Sequence, residues 1–270
     1  MFQKFGAVLS ATAAMVPSPS FADVLHPIAN WVVDYREDQC LASRDYGSAA
    51  KPVTLGIRPA PTGETYELLV ARPGHGPDYA TESKGAVDFG KGPIRAWLLS
   101  YGGKKSKSDI YQFRITAAEM EQASSAATVT VSPEGAPNLT FELRSMPALL
   151  KGLKDCTADL RKYWNSDDTN FRTIATQAKG DIRSVFTADD YPRDAIQRNQ
   201  GGTSQFLLLI DEKGAVAGCH VMRPSGVPVL DAMSCQVIRK RAKFTPARDA
   251  EGHSVRSSVI TPPIVWRMEG

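Results

Sequence analysis

The sequence predicts an α+β protein in two folded units, and three observations carry the prediction. Short segments rich in β-branched and aromatic residues recur through the first half, separated by Pro, Gly and Asp clusters. The second half reads helix, strand, strand, helix, strand, an order that packs a helical layer on an antiparallel sheet. Between the halves, 166–182 is polar and patternless and is read as a linker. The 270 residues are 42% hydrophobic and 23% charged, enough apolar surface to build a core. A net charge of +3, evenly mixed along the chain, makes nucleic acid a poor default partner.

The first 22 residues read as an export signal. Lys4 supplies a short positive region, Gly6 to Val16 a small-residue apolar stretch, and Ser20-Phe21-Ala22 a site with small residues where a signal peptidase reads. Cleavage is expected before Asp23; an uncleaved anchor is the alternative, but the apolar stretch falls short of the ~20 residues a bilayer needs. Export implies an oxidising compartment, so the four cysteines are read first as two disulfides. Of the three pairings, Cys40 with Cys156 and Cys219 with Cys235 is preferred because it closes each half on itself. Metal binding is weaker, since no C-x-x-C occurs and Cys219 and His220 fall on opposite faces of a strand.

In the first unit, 23–165, strands are expected at Trp31–Tyr35, Val53–Ile57, Tyr66–Ala71, Ile94–Ser100 and Ile110–Ile115. Thr116 and Glu119 form a capping box that opens a short helix. Alternation resumes at Ala127–Val131 and Leu139–Leu143. Ser145 then opens a helix whose Leu149, Leu150, Leu153, Cys156, Leu160 and Trp164 make one apolar stripe. This unit is mostly β, with that helix closing it.

In the second unit, 183–270, Asp189 and Asp190 precede a short helix that runs from Pro192 to about Asn199. Gln205–Asp211 and Ala215–Met222 make a hairpin through Glu212-Lys213-Gly214. Val229–Lys243 is a helix with Leu230, Met233, Val237 and Ile238 inward, and His253–Trp266 is a last strand interrupted by Pro262-Pro263. Phe244 and Tyr191 are expected in the core.

The order of small motifs in this unit resembles the C-terminal domain of TonB, the periplasmic part of an inner-membrane energy transducer. It is carried by Tyr191-Pro192, Gly202, Phe206, Asp211 with Gly214 and Val216, Ser225-Gly226, Leu230-Asp231, Phe244-Thr245-Pro246-Ala247, Gly252 and Val255. The family often has Gln where this chain has Asp190, and a proline-rich spacer where this chain has a folded unit. The resemblance implies a periplasmic, non-enzymatic protein in TonB-dependent transport. It would bind an extended peptide of a TonB-dependent outer-membrane receptor, or of another envelope protein, by β-strand addition. The accepting edge would be 257–267, with Ser257, Val259, Thr261 and Val265 as contact residues and Asp190 and Tyr191 as a secondary contact. A weak homodimer through the same edge is a further expectation. The alternative is an envelope structural protein or an enzyme built on the first half, in which the TonB-like unit only mediates protein contact.

Catalytic signals are weak. There is no G-x-S-x-G, H-E-x-x-H or glycine-rich phosphate loop, and no cofactor or metal is expected. His75 sits in a Pro-Gly turn and His253 in a hairpin, while Asp189 and Asp190 suit a helix N-terminus. The run Arg239-Lys240-Arg241-Ala242-Lys243 complements a helix C-terminus, with contact to an anionic lipid or cell wall as a minor alternative.

Overall fold

A computed structural model describes residues 23–76, 80–103, 107–166 and 174–268. The expected signal at 1–22 lies outside the described residues. Ten strands precede the long helix: β1 (Val24–Leu25), β2 (Val32–Tyr35), β3 (Cys40–Ser48), β4 (Lys51–Pro59), β5 (Thr65–Pro73), β6 (Thr81–Asp88), β7 (Ile94–Gly103), β8 (Ser108–Thr116), β9 (Thr128–Ser132) and β10 (Leu139–Glu142). Helix α1 (Ala117–Met120) follows β8, and α2 (Met146–Tyr163) follows β10. The second half holds α3 (Arg193–Gln197), β11 (Gly202–Ile210), β12 (Val216–Arg223), α4 (Pro228–Arg241), β13 (Ala247–Arg248), β14 (Ser254–Val255), β15 (Ser257–Ile260) and β16 (Ile264–Trp266).

The first ten strands form one curled sheet in the order β1-β10-β9-β6-β7-β8-β5-β4-β3-β2. It curls until it meets itself. β1 pairs in parallel with β10, and the next residues pair antiparallel with β3 through a Pro27–Tyr46 bridge and the bonds Ile28 N to Asp45 O and Gly47 N to His26 O, both 3.0 Å. The segment 24–28 therefore joins the two ends, and Tyr46 and Phe141 stack edge-to-face across the junction at 5.1 Å. Period-2 alternation sends Leu55, Ile57, Leu68, Val70, Leu98 and Phe113 into a common interior.

The apolar stripe of α2 covers this core as its spacing requires, burying Leu149, Leu150, Leu153, Cys156 and Leu160. A disulfide from Cys156 to Cys40 fixes the helix to β3, with Cα atoms 6.2 Å apart. Trp164 is buried and its Nε1 donates to Glu37 O. The capping box at Thr116 and Glu119 forms as expected. Ser145, expected to cap α2, is instead left-handed at φ 63° with no side-chain cap bond. A left-handed backbone does not aim the hydroxyl at the first-turn N–H groups as the extended N-cap conformation does. Strands β3 and β6 carry no strand signal in the sequence: Cys-Leu-Ala-Ser-Arg-Asp-Tyr and Thr-Glu-Ser-Lys-Gly-Ala have too few β-branched apolar residues.

In the second half β11 is the centre of a smaller sheet, ordered β12-β11-β15, with β16 also pairing to β11. Phe206, Leu208 and Ile210 point to one face and pack with Ile238, Ala242 and Phe244. Leu209 points to the other face and joins the core of the curled sheet, with Ala217 packed beside it. The part of the predicted linker that is described, 174–182, is packed: Thr176 bridges Arg248, Lys179 bridges Thr245, and Ile182 is buried in the smaller core. The remainder, 167–173, lies outside the described residues.

Candidate strand-accepting edge

Strands β15 and β16 are two pieces of one strand laid along β11. Leu207 pairs with Ile260 and Ile210 with Ser257, whereas Ser204 pairs with Ile264 and Gly202 with Trp266. Between Thr261 and Ile264 the outer strand spends one residue more than β11 does, which makes a bulge at Pro262-Pro263. Prolines belong at such a place because they cannot donate to a ladder. Among the described residues no further strand pairs with β15, so its outer side is an open edge.

Alternation decides which groups that edge offers. Thr261 N donates to Phe206 O at 2.9 Å, so its N–H points at β11. By the antiparallel alternation, Val259 and Ser257 point the same way, and the N–H groups of Ser258 and Ile260 point outward. Side chains follow the same division. Ser257 and Thr261 are buried, Val259 packs on the smaller core, and Ile260 is 54% exposed.

Three of the four expected contact residues therefore face away from any incoming strand. Thr261 is spent internally, its Oγ1 accepting from Phe206 N at 3.1 Å and its carbonyl accepting from Gln205 Nε2 at 2.9 Å. The bulge then reverses the parity, which is why Val265 alone of the four is exposed. Ser258 and Ile260, missed in the sequence, occupy the outward positions. The signal was the Pro262-Pro263 break, which separates two strand pieces whose parities must be read independently.

Beside β16 lies an apolar groove of about 890 Å³ lined by Phe186, Tyr191, Ile196, Pro263, Val265 and Trp266 among others. Trp266 anchors its floor. The ring meets Tyr191 at 5.2 Å and Phe186 at 5.6 Å edge-to-face, and its Nε1 donates to the buried Ser234 Oγ at 2.9 Å. Tyr191 is half-buried and its hydroxyl donates to Gln200 O at 2.8 Å. It is thus a packed aromatic that also forms a wall of the groove, adjacent to the edge strand.

Asp190 does not join it. Its carboxylate accepts both guanidinium nitrogens of Arg241 at 2.6 and 2.9 Å, and Thr187 N and Oγ1 at 2.8 and 3.0 Å. The Arg241 pairing holds its carboxyl below the usual carboxylate range. With its lone pairs taken and the residue buried, Asp190 ties the turn before α3 to the end of α4 and offers nothing to a partner.

The second disulfide, Cys219–Cys235, clamps β12 to α4 with Cα atoms 5.7 Å apart. Gly214 closes the β11–β12 hairpin at φ +78°, and a Cβ there would strike Phe244 O. Next to Cys219, His220 faces the curled sheet across a cavity of about 240 Å³ lined by Asp38, Arg58, Glu67, Gln112 and Arg114. Burial pushes its imidazole below the ordinary histidine value, and its Nε2 has no hydrogen-bond partner. His253 is exposed on its hairpin, 3.3 Å from Asp249. Among the described residues no cluster of His, Cys, Asp and Glu could hold a metal ion.

Residues 187–268 match the family described as Gram-negative bacterial TonB protein C-terminal. The match covers under a third of the chain and falls on the small sheet, the groove and α4. That family is envelope-associated, is not an enzyme family, and its members interact with outer-membrane proteins. A comparison with curated proteins finds no match. Among the described residues no helix is long and apolar enough to cross a membrane.

Proposed function

We propose that this is an exported periplasmic protein whose TonB-like unit captures an extended peptide by adding it as a strand to β15. The observation that carries the reading is the open edge at Ser258 and Ile260, continued by exposed Val265 into the apolar groove. Main-chain hydrogen bonds supply affinity, and the groove selects an apolar side chain. The peptide belongs to a TonB-dependent outer-membrane receptor or to another envelope protein, and the activity is a binding step in transport across the envelope, without catalysis.

In this reading residues 1–22 are a cleaved signal, and 23–165 and 183–270 are two units joined through 166–182. A second copy could pair through the same edge as a weak homodimer. The alternative, an envelope structural protein or enzyme in which this unit only makes contacts, predicts no receptor peptide binding.

Calorimetric titration of the exported protein with peptides from receptor plug segments tests the proposal. Ile260→Pro removes an outward donor, so it abolishes binding while the melting temperature holds. Val259→Pro removes a donor aimed at β11, so it lowers the melting temperature. If no receptor peptide binds the wild-type protein, strand addition in transport is rejected.

A further inference from the structure

Three segments bring together, at the hairpin end of the small sheet, cations that have no ion-pair partner among the described residues. Arg239 and Lys240 stand in the last turn of α4 and Lys243 just beyond it, all exposed. Phe244 N donates to Gly214 O at 2.9 Å, which places exposed Lys213 beside them. Lys179 and Thr245 exchange two backbone bonds, 3.0 and 2.8 Å, which brings exposed Lys179 to the same end. Of the acids in these turns, Glu212 pairs with Arg256, whereas Asp211 Oδ1 accepts from Lys213 N and Ala215 N and Asp181 Oδ1 from Arg183 N, bonds to neutral amides that turn the carboxylates into their own loops without cancelling their charge. Arg241 is already bound to Asp190.

Five cations set against the carboxylates of Asp181 and Asp211, with Glu212 balanced by Arg256 and Asp190 by Arg241, leave this end of the small sheet positive. The end of α4 therefore carries a local positive patch. No exposed large apolar or aromatic side chain lies among these cations, so they offer neither a stacking platform for bases nor a wedge for a bilayer core. What remains is recognition of charge density on a surface. We infer that this end of the protein rests on an anionic lipid bilayer, through electrostatic contact with phosphate headgroups.

Sedimentation of the protein with vesicles decides it, comparing phosphatidylglycerol mixed with phosphatidylethanolamine against phosphatidylethanolamine mixed with phosphatidylcholine. Binding is expected to the anionic vesicles alone and to fall steeply with added salt. The triple variant Arg239→Gln, Lys240→Gln, Lys243→Gln should lose roughly tenfold or more of that binding. A control losing the same charge at exposed Lys51, Lys84 and Lys91 should keep it. An unchanged melting temperature for both variants shows that folding is not the cause. Equal binding to both vesicle types, equal losses in both variants, or no binding at low salt overturns the inference.

Discussion

At the scale of single residues, two interactions hold the accepting edge in place. Thr261 is small, but its hydroxyl satisfies the buried N–H of Phe206 where the bulge denies that group a carbonyl. Thr261→Val keeps the shape and orphans the donor, so it should cost about 1–3 kcal/mol of stability, read by denaturant titration. Asp190 is the second. Its carboxyl is held low in the folded state by Arg241, so its contribution is present above the ordinary carboxylate range and is lost as pH falls through the folded value. Arg241→Ala should therefore lower the melting temperature at neutral pH and flatten its decline on acidification. An unchanged acid limb in that variant would count against the pairing. Phe244, buried where α4 turns under the sheet, has a conventional role, and Phe244→Ala should cost about 3–5 kcal/mol.

At the scale of elements, the disulfides and the bulge do different work. Cys219–Cys235 closes a short loop of sequence separation 16, worth roughly 3 kcal/mol if its effect is to restrict the unfolded chain. Cys40–Cys156 spans a separation of 116 and should be worth somewhat more, on the order of 4–5 kcal/mol. Reduction should thus lower the melting temperature markedly, and intact mass should rise by four hydrogens. Four free thiols in protein isolated from the envelope would contradict both bridges. The bulge at Pro262-Pro263 shortens the continuous edge to four residues before the groove begins. A short open edge limits unwanted pairing between molecules while leaving room for a brief peptide.

At the scale of the whole molecule, the small sheet is covered on both faces. α4 lies on one, and the wall of the curled sheet meets the other through Leu209, Ala217 and the polar cavity at His220. Burial depresses the His220 imidazole, so the neutral form favours this packing. Stability should fall as pH drops below the ordinary histidine value and level off below the folded one. His220→Gln should remove that step from a stability–pH curve measured between neutrality and about pH 5. Residues 174–268 produced alone would uncover Leu209 and Ala217. The fragment should then bind more of a hydrophobic dye than the full chain, whose apolar groove both share, and dye binding equal to that of the full chain would refute the covering role.

The hairpin, both long helices and the order of elements in the second half were legible in the chain, because each rests on local spacing: apolar stripes at three and four residues and turn residues at fixed offsets; the cysteine pairing was legible because it closes each half on itself. Thr116 with Glu119 and Gly214 are of the same kind, since their requirements are met within a few residues. The closure of the first sheet was not legible, because the bonds from 26–28 to Asp45 and Gly47 join segments with no shared pattern. Nor was the orientation of the edge, since one extra residue at Pro262-Pro263 reverses every side chain beyond it. Asp190 shows the limit most sharply. A carboxylate before a helix reads as a cap or a contact, and only the arrival of Arg241 from 51 residues away decides that it is neither free nor available.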